Sequence, residues 1–140
     1  MIAVTRAVVD RLTVEAVRAA PAECCGLLLG AAGRIDTLRP ARNVAADPLR
    51  FFEIDPAVLI AAHRDARRGG QAVLGYYHSH PAGAAVPSET DRAHAVGDGR
   101  IWAIVVPGPL GPQTLGPQTI GWWRDGPDGF ERLPSPRIDG

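Results

Sequence analysis

Two of the chain's four histidines, His78 and His80, stand one residue apart at the end of the run "VLGYYHSH", and Asp91 follows eleven residues on. In an extended strand residues two apart point the same way, so both imidazoles share a face at the strand's mouth, with Leu74 and Tyr76 behind them. Paired imidazoles are half of a metal site. Imidazole suits zinc, and a catalytic zinc keeps three protein ligands and leaves a fourth position to water. Asp91 can complete the set, because a short loop returns a helix start to the strand end. Hydrolysis also needs a carboxylate that takes a proton from water and gives it back. Glu23, at the entrance to the apolar run "CCGLLLG", can serve; Glu53 and Glu89 compete for the role.

The same residues have readings without chemistry. "SETD", Ser88 to Asp91, has the shape of a capping box, with Ser at the N-cap and an acidic residue three positions on. That alone accounts for both residues, and the histidine pair is then a polar, solvated strand end. The two readings are compatible, since a cap fixes Ser88 and Asp91 in space as a ligand set requires. His63 reads as a helix-surface or packing residue. His94, one helical turn beyond Asp91, is a surface residue or an outer partner of the ligands. Tyr76, Tyr77, Trp102, Trp122 and Trp123 read as packing residues. Cys24 and Cys25 are adjacent, so in a strand they point to opposite faces and make poor disulfide partners; buried, inert thiols are expected.

Taken together, Glu23, His78-x-His80, seven residues, then Ser88-x-x-Asp91 resemble the JAMM motif of MPN-type metalloproteases. The flanks "PAECCGLLLG", "FFEIDP" and "GYYHSHP" resemble that family too. The likeness spans roughly residues 1 to 107, weakens through "LGPQTLGPQT" and returns faintly in "WWRDG" and "FERL". The resemblance implies a single α/β domain with the JAMM/MPN fold: a curved mixed sheet flanked by helices, related in architecture to cytidine deaminases. It implies that His78, His80 and Asp91 bind one Zn2+, that Glu23 is the general base and acid, and that Ser88 donates to the oxyanion. It further implies hydrolysis of a peptide or isopeptide bond. Small members resemble enzymes acting on ubiquitin-like sulfur-carrier proteins that end in Gly-Gly, for example releasing cysteine. Such a tail lacks side chains and can lie extended in a narrow groove against a sheet edge. A broader small-peptide hydrolase and a non-catalytic, zinc-bearing interaction module are the alternatives. A fourth protein ligand closing the site would favour the module.

The elements that must position these residues follow from pattern. "AVVDRLTVEAVRAA" predicts a helix with Val8, Leu12, Val14, Val17 and Ala20 on one face. "CCGLLLG" and "IWAIVV" read as strands buried on both faces, and "IDTLRPA" as a more exposed one. "FFEIDP" reads as a strand end, and Asp55 with Pro56 as a helix start running to Gly69–Gly70. The exact "LGPQT" repeat reads as a duplicated Gly/Pro-rich surface loop, and "IGWWRDG" with "FERL" as a closing hairpin. The domain is expected over residues 1–133, with a loose tail at 134–140.

Composition excludes several classes. Fifteen basic residues, all Arg, balance fifteen acidic ones, so there is no basic stripe and nucleic acid is not an expected partner. No run approaches the ~18 apolar residues of a membrane span. The start "MIAVTRAVVDRL" does not read as a signal peptide, so the cytoplasm is the expected compartment. Oligomeric state stays open, a homodimer included.

Overall fold

The buried runs become the middle of one sheet. The computed structural model describes residues 2–107 and 120–140, and its eight strands take the order β7-β6-β5-β4-β2-β3-β1-β8. β2 (Cys25–Ala31), β4 (Ala72–Ser79) and β5 (Ile101–Val105) lie at the centre. β3 (Arg34–Ala41), β6 (Ile120–Gly126) and β7 (Gly129–Arg132) flank them, and β1 (Ala3–Thr5) with β8 (Arg137–Asp139) closes one side. β2 runs antiparallel to β3 and β4, while β4 and β5 are parallel, so the sheet is mixed. Register shifts on both sides of β2, at Leu28–Leu29 and Leu29–Gly30, bend it. Among the described residues no helix is long and apolar enough to cross a membrane.

Helices cover both faces. α1 (Arg6–Ala19) packs Val8, Leu12 and Ala16 against Leu28, Ile35 and Tyr77. α2 (Pro56–Arg67) sets Val58, Leu59 and Ala62 against Leu27, Leu29 and Val73 on the other face. Fully buried leucines such as Leu12 and Leu28 each stabilise the fold by roughly 1.5–3 kcal/mol. α2 starts as its sequence predicts: Asp55 Oδ1 accepts from the Ala57 nitrogen at 3.0 Å, Pro56 opens the helix, and Gly69 follows its end at φ +89°. α3 (Glu89–His94) sits beyond β4.

Four expectations are corrected. α1 buries Val8, Val9, Leu12, Thr13 and Ala16, whereas Val14 and Val17 are 41% and 42% exposed. At 3.6 residues per turn Val14 falls on the far side from Leu12 and Ala16, and Val17 on the flank of the buried face, about 100° round from Ala16. Leu74 does not share a face with Tyr76: it packs in the α1-side cluster and Tyr76 in the α2-side one. The cause is the bulge, since Leu28 faces Gly75 and Leu29 faces Val73, which leaves Leu74 unmatched. "FFEIDP" contributes only an isolated bridge, Ile54 to Asn43. The segment 134–140 is no loose tail where Arg137–Asp139 form β8, parallel to β1; Ile138 packs on the core, and Asp139 takes Arg34 at 2.7 Å. The "LGPQT" repeat lies outside the described residues.

Candidate metal centre

β4 delivers the histidines. His78 is fully buried, its ring stacked on Phe52 (centroids 4.1 Å, planes 17° apart) with Trp102 edge-on at 5.7 Å. His80 lies just past the strand, held by its backbone nitrogen donating to the Val105 carbonyl at 2.8 Å. Its Nδ1 lies 2.9 Å from the Ala84 carbonyl, which can only accept, so Nδ1 carries the proton and a neutral ring presents a bare Nε2.

α3 delivers the third group. The Asp91 nitrogen donates to Ser88 Oγ at 3.0 Å and the Ser88 nitrogen donates to Asp91 Oδ2 at 2.9 Å, a complete capping box. The same Oδ2 lies 3.1 Å from His78 Nε2 and 3.1 Å from His80 Nε2, and the two nitrogens are 3.0 Å apart. Cap and convergence therefore occur together. Between the histidines and Ser88, Trp123 Nε1 donates to the Ala85 carbonyl at 3.1 Å and ties the loop to β6.

β2 delivers Glu23. The Cys24 nitrogen donates to Ser79 Oγ at 2.8 Å and the Ser79 nitrogen to the Cys24 carbonyl at 3.1 Å, which locks the start of β2 against the end of β4. Glu23 is buried, and its carboxylate lies with the ring nitrogens of His78 and His80 in a group no wider than 4.8 Å. The competitors Glu53 and Glu89 are exposed. His94 is exposed as well, and nothing links it to the ligands beyond its place on the rim. Cys25 Sγ faces the carbonyls of Ala41 and Arg42 and Cys24 packs toward α1, so neither thiol joins the centre.

Sequence reading missed Asn43, the chain's only asparagine. Its Nδ2 donates to the Glu23 carbonyl (3.0 Å) and the Phe51 carbonyl (2.9 Å). Its Oδ1 accepts from the nitrogens of Ala45 (3.0 Å) and Glu53 (3.1 Å). One side chain thus fixes both the backbone of Glu23 and the loop that presents Phe52 to His78. That it is the sole asparagine, between two predicted elements, was the available signal.

Electrostatics divide the groups. Burial pushes the Glu23 carboxyl up to about 7; the His80 charge pulls it down and the Asp91 charge adds to the rise. Burial holds His78 below the usual histidine value, against its hydrogen bond with Asp91. In His80 burial acts the same way, but Asp91 and the Ala84 carbonyl outweigh it and the value rises. Burial alone would raise Asp91, yet its bonds to both imidazoles hold it far below the usual carboxylate range.

The donor set fits a small divalent cation. Three ligand-type atoms, two imidazole nitrogens and one carboxylate oxygen, converge on one another at 3.0–3.1 Å. Zinc held at about 2.0–2.1 Å by such atoms needs comparable spacing between them. Against known proteins, residues 5–124 match the model of the prokaryotic homologs of the JAB domain. The chain belongs to that family. This JAB-domain chain is 38% identical over 89 residues to a desampylase of Haloferax volcanii, covering 62% of this chain and 64% of that one. It is 35% identical over 92 residues to a probable TtuB-protein conjugate cleaving protease of Thermus thermophilus, covering 66% and 62%. The match thus spans less than two thirds of each relative's length. In structure it resembles protein DSY2949 of Desulfitobacterium hafniense, at TM-score 0.77, 28% identity and coverage of 99% and 91%. It also shares the fold, at TM-score 0.63, 19% identity and coverage of 100% and 99%, of a protein described as a JAMM metalloprotease-like zinc site in the proteasome and signalosome.

Proposed function

We propose that this JAB-domain chain is a cytoplasmic zinc metallopeptidase that hydrolyses the peptide or isopeptide bond after the Gly-Gly tail of a ubiquitin-like sulfur-carrier protein. The observation that carries this reading is the convergence of His78, His80 and Asp91 with Glu23 alongside. The relatives' names, a desampylase and a conjugate-cleaving protease, support a conjugate as substrate.

His78, His80 and Asp91 would hold the zinc. When bound, zinc supplies Lewis acidity that polarises a carbonyl and makes water acidic near neutrality. Glu23, with its carboxyl pushed up to about 7, takes a proton from the attacking water and returns it to the leaving nitrogen. The water oxygen bonds to the glycine carbonyl carbon, the carbon–nitrogen bond breaks, and the products are a Gly-Gly carboxylate and a free amine. Ser88 Oγ accepts from the Asp91 nitrogen, which leaves its own proton free for the oxyanion. One such donor is worth about 10²–10³ in kcat. The centre lies at the ends of the interior strands β2 and β4, away from the edge strands β7 and β8. The open groove bounded by His80, Gly83 and Ser88 supports this reading as a place for an extended tail without side chains.

The test uses protein purified without chelators and two substrates, a Gly-Gly–cysteine adduct of a ubiquitin-like carrier and a Gly-Gly isopeptide. Cleavage by the wild type, with Glu23→Gln retaining zinc but inactive, is expected. Zinc retention without cleavage of either substrate would contradict the reading and leave the interaction module. Cleavage of unrelated short peptides at equal rates would instead favour the small-peptide hydrolase.

A further inference from the structure

His78 and His80 are oriented by different means. His78 is packed between the Phe52 and Trp102 rings, and its Nδ1 is buried with no hydrogen-bond partner among the described residues. His80 depends on one bond open to solvent, from Nδ1 to the Ala84 carbonyl at 2.9 Å. That carbonyl belongs to the loop of residues 82–86, "AGAAV", where Ala82, Gly83, Ala84 and Val86 are exposed. A loop of small, exposed residues buries little that could fix its path. Apart from a 3.4 Å turn contact from the Gly83 nitrogen to the His80 carbonyl, two hydrogen bonds reach the loop from outside it among the described residues. One comes from His80 itself. The other runs from Trp123 Nε1 to the Ala85 carbonyl at 3.1 Å.

β6 receives that carbonyl in a notch. Gly121 and Trp123 are two apart on the strand and share a face, while Trp122 packs in the α1-side core. A Cβ at residue 121 would overlap the Ala85 oxygen, so the strand admits the carbonyl only because Gly121 has no side chain. The Trp123 N–H then holds it. The Arg132 guanidinium carbon lies 5.6 Å from the Trp123 ring centre and steadies the indole from β7, where Arg132 is its register partner. The Ala84 and Ala85 carbonyls are separated by the two soft dihedrals of one residue, so pinning the second restricts the first. Without that restraint water competes for both groups of the His80–Ala84 bond. The ring is then free to turn, or to carry its proton on Nε2, the atom that lies 3.1 Å from Asp91 Oδ2.

We propose that Trp123 and Gly121 are positioning residues for His80: together they hold the Ala85 carbonyl, and through it the Ala84 carbonyl that keeps His80 Nε2 bare for zinc. This rests on His78, His80 and Asp91 as the ligand set. It gives a task to β6, a strand that supplies neither a ligand nor a group for proton transfer. A partner that orients a metal-binding histidine typically accounts for about 10–100-fold in metal affinity. Trp123 acts one residue further out, so the lower end of that range applies to it.

The test reads zinc affinity of the full chain by competition with a chromophoric chelator, beside the melting temperature of the zinc-free protein. The variants are Trp123→Phe, Gly121→Ala, the two combined, and Trp122→Phe. Trp123→Phe keeps an aromatic face for Arg132 and loses the donor, and should weaken zinc about tenfold. Gly121→Ala keeps the donor and displaces the carbonyl, and should weaken zinc by about 10–100-fold. Both act on one carbonyl, so the double variant should lose no more than the larger single loss. Trp122→Phe leaves a gap in the core without touching the loop, so it should lower the melting temperature and leave zinc affinity unchanged. Wild-type zinc affinity in Trp123→Phe overturns the assignment, whether or not Gly121→Ala folds. So do losses that multiply in the double variant, or losses that follow the melting temperature through Trp122→Phe as well. A wild type that takes up no zinc overturns the ligand set and this inference with it, whereas zinc uptake without cleavage counts against the hydrolytic reading alone.

Discussion

Asp91 and Glu23 are carboxylates beside the same two imidazoles, and their surroundings give them different work. Asp91 Oδ2 meets two ring nitrogens and the Ser88 nitrogen, so it stays ionised and suits a ligand. Burial dominates at Glu23, so its proton is exchangeable near neutrality. Glu23→Gln should keep the fold and the metal and lower kcat by about 10²–10⁴, measured by steady-state kinetics with metal analysis. Ser88 has two roles that substitution can separate. Ser88→Ala removes cap and donor together, costing about 1 kcal/mol of stability and about 10²–10³ in kcat. Ser88→Gly costs only a few tenths of a kcal/mol as a cap, so kcat should fall with little change in melting temperature. The meeting of His78, His80 and Asp91 was legible because strand alternation and the capping box fix side-chain direction over short spans, whereas Glu23 was singled out from Glu53 and Glu89 only by the resemblance. Phe52 was not legible, since its partner His78 is reached across the fold.

At the scale of elements, Asn43 is the joint between the end of β3, the start of β2 and the loop before α2. Both its donors and both lone pairs are used on backbone groups. Asn43→Ala leaves two carbonyls and two amides to find other partners, at a cost of about 1–3 kcal/mol for each group that stays buried and unmet. With Glu23 less well held, kcat should fall more than zinc affinity, which chemical denaturation and competitive metal titration would read separately. Legibility varies among the elements for physical reasons. α2 was readable from Asp55–Pro56 to Gly69 because caps are local chemistry. The register of β4 was not, because the bulge at Leu74 is set by β2 and not by the β4 sequence; Gly75 also lets Ile101 of β5 approach where a side chain would collide. β1 and β8 are three residues each, too short to show alternation, and they exist by pairing with each other and β3.

For the whole molecule, the two thiols set an alkaline limit. Burial pushes Cys24 up to about 11 and Cys25 to about 12, while an unfolded thiol titrates near 8.5. Above about pH 8.5 the unfolded chain releases protons that the folded chain keeps. The unfolded state then binds fewer protons, so unfolding free energy falls as pH rises through the range 9 to 11. Denaturant unfolding at pH 8 and pH 10 should show this drop, and Cys25→Ala should reduce it. The folded thiols should react slowly with iodoacetamide at pH 8, because little thiolate is present. β4 and α3 are brought together only by the folded chain, and a ligand that binds only that state stabilises it. The measurement to make first is zinc content with melting temperature for the wild type, His78→Ala, Asp91→Asn and Glu23→Gln, before and after chelation. About one zinc per wild-type chain is expected, with a melting temperature that chelation lowers. Glu23→Gln should behave alike, and the two ligand variants should hold none and be indifferent to chelator. A wild type that takes up no zinc and melts identically with and without chelator would contradict the assignment, leaving "SETD" as a helix cap alone.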